Sequence, residues 1–197
     1  MCKIFISTLF VYFSVVNAAT RVPHSDLYQE QGIWYNISTN SPFNGIAYKV
    51  SKKSKIVVQQ INYIDGVEWG KYYEWWPNGI KKIDGTYRSG FMHGRWKFFN
   101  EKGKIYCAGS YMNGNGHRPP DLLKNIPKDG VRGLWTYWNQ SGRKIEEGYF
   151  SKNGVAKGNW SYWDKNGRKR LGKKINYDTF NNKDALKHLD GYFLVAG

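Results

Sequence analysis

Cysteine, proline and acidic residues are all scarce in this 197-residue chain. Two cysteines, Cys2 and Cys107, are too few for a disulfide scaffold. Fifteen Asp and Glu face 30 Lys and Arg, a formal charge of +15 that favours anionic partners. Beyond residue 16 no apolar run approaches the length of a membrane helix, and the glycines follow no three-residue collagen period. The histidines His24, His93, His117 and His188 stand outside metal-ligand spacing of one another and of cysteine. No nucleophile turn, His-Glu-x-x-His motif or phosphate loop is present. Glu146 and Glu147 are the one adjacent acid pair. On a strand they point to opposite faces and cannot share a proton. These absences predict a non-enzyme with no metal and no cofactor.

What the chain does have is aromatic and glycine content: 9 Trp, 15 Tyr, 10 Phe and 22 Gly. That excludes a disordered chain and points to an all-β protein. At the start, Met1 to Lys3 precede a 13-residue apolar run, Ile4 to Val16, and then the small residues Ala18 and Ala19. Charge, apolar run and small residues in that order predict a signal peptide over 1–18, cleaved after Ala18 or Ala19. The mature protein is then secreted or periplasmic. Cys107 would be its lone thiol, either a buried small apolar residue or half of an intermolecular bridge.

Internal periodicity decides the fold. Four segments open and close with glycine nine residues apart: Gly70 to Gly79, Gly94 to Gly103, Gly133 to Gly142 and Gly158 to Gly167. Two residues after the first glycine stand Tyr72, Trp96, Trp135 and Trp160, and five after it Trp75, Phe99, Trp138 and Trp163. At the fourth place three segments have Phe98, Tyr137 and Tyr162, whereas the first has Glu74. A second pattern follows, Gly85-x-Tyr87-x-x-Gly90, Gly109-x-Tyr111-x-x-Gly114 and Gly148-x-Phe150. The period is 24 residues from Gly70 to Gly94 and 25 from Gly133 to Gly158, with an insert over 115–132 between. Polar and aromatic residues alternate, as in half-buried strands, and Asn113-Gly114 reads as a hairpin turn. One hairpin is marginal alone, so the expectation is an elongated antiparallel array of stacked hairpins over 41–175. The remaining pieces, 19–40 and 176–197, are read as caps, the latter as a short helix and strand.

These motifs, Gly-x-Trp-x-Tyr-Trp-x-x-x-Gly followed by Gly-x-Tyr-x-x-Gly, resemble the MORN repeat, specifically the bacterial variant form found in YwqK-family antitoxins. The opening Ser41 to Tyr48 is also similar to the start of such arrays. The resemblance implies a hairpin-repeat scaffold serving as a binding surface. The expected function is thus a non-enzymatic, exported binding or scaffold protein that contacts a protein partner or an anionic membrane or envelope polymer. One alternative is an antitoxin-like protein neutralising a protein toxin. Another is an aromatic-repeat protein binding cell-wall sugars. Nucleic acid ranks lower for an exported chain.

Two sets of residues are candidate contacts. Lys81, Lys82, Lys104, Arg143, Lys144, Arg168, Lys169 and Arg170 recur just after the closing glycines and predict a basic stripe. Trp138 and Trp163 are expected on the face opposite Trp96, Trp135 and Trp160. The latter three are read as core in preference to an open platform.

Overall fold

Segments such as Arg95-Trp96-Lys97-Phe98 alternate polar and aromatic residues, so each can bury one face only as a strand beside others. A computed structural model describes residues 19–114, 130–152, 154 and 156–174. The expected signal peptide (1–18), most of the insert (115–129) and the C-terminal cap (176–197) lie outside the described residues.

Among the described residues fourteen strands are formed. They are β1 (Arg21–Pro23), β2 (Leu27–Glu30), β3 (Ile33–Asn36), β4 (Ser41–Pro42), β5 (Gly45–Val50), β6 (Val57–Ile64) and β7 (Val67–Trp75). There follow β8 (Lys81–Arg88), β9 (Phe91–Phe99), β10 (Ile105–Gly114), β11 (Val131–Trp138), β12 (Lys144–Phe150), β13 (Ala156–Trp163) and β14 (Lys169–Lys174). Eleven make one elongated sheet in the order β1-β5-β6-β7-β8-β9-β10-β11-β12-β13-β14. Among the described residues of this sheet only β1 and β5 pair in parallel, and every other neighbouring pair is antiparallel.

The residues expected to form a simple N-terminal cap do more. β1 extends the large sheet, and β2, β3 and β4 form a separate three-stranded sheet. Trp34 and Phe43 of that region pack on Tyr63, with ring centroids 6.2 and 5.9 Å away. The Trp34 N–H donates to the Gly66 carbonyl at 2.8 Å, which ties the small sheet to the first hairpin tip. That tip, Asp65-Gly66, has positive φ at both residues (49° and 75°), the geometry that suits a tight hairpin. Asn113-Gly114 does not turn. β10 runs through to Gly114, and the Met112 N–H meets the Gly130 carbonyl at 2.7 Å, so Val131 and Arg132 already belong to β11.

The aromatic ladder is core. Trp96 and Trp135 are fully buried and Trp160 is 1 % exposed. Each indole lies on a glycine of the preceding strand. A Cβ on Gly85, Gly109 or Gly148 would stand 2.3, 2.0 or 2.1 Å from the rings of Trp96, Trp135 and Trp160 respectively. Tyr87, Tyr111 and Phe150, two residues beyond those glycines on the same strands, meet the indoles edge to face at 5.4, 5.2 and 5.3 Å between centroids. Removing one such indole costs about 3–5 kcal/mol. At the N-terminal end the same place is filled differently: Ile61 stands where the others have glycine, and the smaller Tyr72 lies where they have tryptophan. At that pair of positions volume moves from one strand to its neighbour.

Candidate functional site

The closing turns, such as Asn139 to Arg143, line one long edge of the sheet, and the hairpin tips line the other. Side chains of the expected basic stripe follow the closing-turn edge, and half of them meet carboxylates there. Lys81 Nζ is 3.0 Å from Asp84, Lys82 Nζ 2.8 Å from Glu74, Lys144 Nζ 2.7 Å from Glu147, and Arg170 3.2 Å from Asp164. The three partly exposed lysine pairs are worth about 0–1 kcal/mol each, and all four pairs cancel charge locally. Lys104 packs beside Gly142, and Arg143 donates to the Lys165 carbonyl. Arg168 donates its backbone N–H to Asp164. Among the described residues, Lys104, Arg143, Arg168 and Lys169 make no ion pair. The two outer tryptophans are half-buried. Trp163 lies under two cations, with Lys144 Nζ at 4.9 Å and Lys169 Nζ at 5.6 Å from its ring.

A second set of cations, not singled out by the sequence, lies on the face opposite the ladder. Along the hairpin-tip side of that face Trp69, Phe91, Met112, Leu134 and Tyr149 are 40–57 % exposed. Basic residues stand between them on neighbouring strands. Arg88 pairs in register with Phe91 and lies over the Trp69 ring, Arg132 contacts the Met112 sulfur, and Lys157 pairs with Tyr149. Lys71, Arg95 and Lys97 are exposed nearby on the same face. None of these six cations forms an ion pair among the described residues. At about 4.8 Å per strand the band runs roughly 30 Å from β7 to β13.

On the ladder face, at its N-terminal end, lies a groove of about 480 Å³. It opens where Glu74 takes the place that Phe98, Tyr137 and Tyr162 hold in the sister segments. Its polar floor is one connected chain. Gln59 Nε2 donates to the Tyr72 hydroxyl at 3.0 Å, Tyr72 donates to Glu74 Oε2 at 3.3 Å, and Lys82 donates to Glu74 Oε1. Trp34, Tyr63 and Tyr106 contribute rings to its walls, and Trp34 Nε1 donates to Glu68 at 3.2 Å. Gln59 Oε1 and the Tyr63 hydroxyl are buried with no hydrogen-bond partner among the described residues. His24 sits at the rim beside Lys49, and burial together with that lysine holds its imidazole below the usual histidine range. Lys82 was already a candidate contact and Glu74 a visible departure from the repeat. Gln59, Tyr63 and Tyr106 carry no sequence signal for this site, because the register of β6 on β7 places the first two and the more distant β10 brings the third.

Further along the same face Glu146 is 6 % exposed, and burial pushes its carboxyl up to about 7, an effect partly offset by a hydrogen bond to Tyr162. Glu147 points to the other face. There some desolvation is outweighed by hydrogen bonds from Lys144 and Thr136, which hold it below the usual carboxylate range. Nearby, burial pushes the Cys107 thiol up, so it stays protonated. At 1 % exposure it is a core side chain, beyond reach of a second chain while folded. Among the described residues no cluster of His, Cys, Asp and Glu is placed to hold a metal ion, and no helix is long and apolar enough to cross a membrane.

No family model matches the chain. No curated protein matches it either. Among solved structures the chain is similar to TarM, with 10% identity and a TM-score of 0.28 over 84% of this chain and 23% of that one. It is also similar to a chain of the GtfA/B complex bound to UDP and GlcNAc, with 13% identity and a TM-score of 0.26 over 85% and 32%. The chain therefore spans less than a third of the length of either.

Proposed function

We propose that the protein is an exported, non-enzymatic scaffold built as a MORN-like hairpin-repeat array, which rests on an anionic lipid surface through its solvent-facing sheet face. The observation that carries this reading is the band of exposed Trp69, Phe91, Met112, Leu134 and Tyr149 interleaved with cations that lack carboxylate partners. Charge draws such a face toward anionic headgroups, and the apolar side chains then enter the boundary between headgroup and acyl chain. The closing-turn cations supply a second, weaker contribution, since half of them are already neutralised.

Sedimentation with vesicles tests the reading. The mature chain should pellet with phosphatidylglycerol vesicles and not with phosphatidylcholine vesicles. Replacing Arg88, Arg95, Lys97 and Arg132 together by Gln should abolish this. Replacing Arg143, Lys144, Arg168, Lys169 and Arg170 by Gln should only weaken it. A parent chain that ignores both vesicle types overturns the lipid reading and leaves a protein partner, as for an antitoxin. Sequencing the N-terminus of the protein from its host addresses export, which a retained Met1 in the cytosol would defeat.

A further inference from the structure

We infer that the groove at the N-terminal end of the ladder is a binding site for a neutral saccharide. It lies on the face opposite the proposed lipid contact, and the inference stands or falls apart from that reading. Two departures from the repeat take ring volume out of this end of the ladder: Glu74 in place of an aromatic ring and Tyr72 in place of tryptophan. Ile61, the residue that adds volume, fills only the glycine position beneath Tyr72. The space left is within the range of small-molecule pockets.

The chemistry of the lining selects the ligand class. An apolar guest would desolvate Glu68, Glu74, Lys49 and Lys82 without replacing their water. The two carboxylates balance the two lysines, and Glu74 is already paired with Lys82, so a charged guest would bury an uncompensated charge. His24, held toward its neutral form, adds none. What the groove lacks is a hydrogen-bond donor for Gln59 Oε1 and a partner for the Tyr63 hydroxyl, a residue only 3 % exposed. Sugar hydroxyls both donate and accept, so one pyranose can join the chain from Gln59 through Tyr72 to Glu74, and a small turn of the Gln59 and Tyr63 side chains brings their buried oxygens to it. The apolar faces of the same ring pack on the aromatic walls formed by Trp34, Tyr63 and Tyr106.

The test is saturation-transfer NMR and calorimetry on the mature chain, with glucose, galactose, mannose and cellobiose as neutral probes and glucuronate and glucosamine as charged ones. At least one neutral probe should bind with a dissociation constant on the order of 1 mM or tighter, ahead of both charged probes. Tyr63→Phe removes one hydroxyl and keeps the packing against Trp34 and Phe43. It should weaken binding about tenfold, the worth of one hydrogen bond, without lowering the melting temperature. Glu74→Phe restores the side chain of the sister segment and should abolish binding while the near-UV dichroism stays that of a folded chain. Transfer from none of the neutral probes overturns the inference, as does tighter binding of a charged one or affinity untouched by both substitutions. Vesicle binding should be the same in all three proteins, so the lipid reading is scored separately.

Discussion

Replacing Glu146 by glutamine isolates a carboxyl buried in the sheet. Its carboxyl is buried among the ladder, one oxygen lacks a partner, and its folded value of about 7 lies above the ordinary 4.5. A carboxyl raised in this way binds more protons in the folded state than in the unfolded one between those values. Its contribution to stability is therefore full below pH 4.5 and is lost as pH rises through 7. A gap of that size is worth about 3 kcal/mol by the alkaline end of the window. Glutamine has nearly the same shape and never ionises, so Glu146→Gln should remove the loss. Urea unfolding followed by tryptophan fluorescence between about pH 5 and pH 8 measures it. The variant should be close to wild type at the acid end and more stable by about 2–3 kcal/mol at the alkaline end. His24 works in the opposite sense. Its value is depressed below 6.5, so its contribution grows as pH rises to that point, but it is common to both proteins and cancels in the difference. Parallel pH profiles for the two chains would refute the buried ionisation.

Two further outcomes are expected. Gly148→Ala places a Cβ 2.1 Å from the Trp160 ring and should destabilise by about 1–3 kcal/mol; adding Trp160→Tyr should recover part of that, on the pattern of Ile61 beside Tyr72, and strictly additive thermal melts would deny the coupling. Lys81→Gln and Lys144→Gln each break a partly exposed ion pair and should shift stability by under about 1 kcal/mol in urea titrations, whereas a larger loss would mean that the closing-turn edge is more desolvated than described.

The large sheet was legible because its information is local. Glycine and aromatic spacing recurs within each segment, and the same spacing places Trp96, Trp135 and Trp160 on one face. The small sheet of β2, β3 and β4 was not legible, since its strands are short and are held by Trp34 and Phe43 packing on Tyr63, a contact between distant positions. Asn113-Gly114 misled because β10 carries an irregularity there, with Asn113 at φ 55° inside a continuing strand. For the basic stripe the sequence displayed the cations plainly, but their neutralisation depends on which strand face each turn residue adopts. Lys81 reaches Asp84, whereas Lys82 reaches back across the sheet to Glu74. The groove needed both levels: Glu74 stood out in the sequence, and only the pairing of β6 with β7 shows what it stands beside.

The seat of each tryptophan on a glycine gives the ladder a direction. Gly85 precedes Trp96, Gly109 precedes Trp135, and Gly148 precedes Trp160, so every ring closes backward onto a strand already in the chain. During synthesis from the N-terminus each new indole finds its seat waiting, and assembly can advance one hairpin at a time with short-range closures. The separations are 11, 26 and 12 residues, the middle one lengthened by the insert. Because closure entropy grows only with the logarithm of loop length, that lengthening costs under about 1 kcal/mol. A segment of that size can therefore be carried at a hairpin tip without interrupting the order in which the ladder fills.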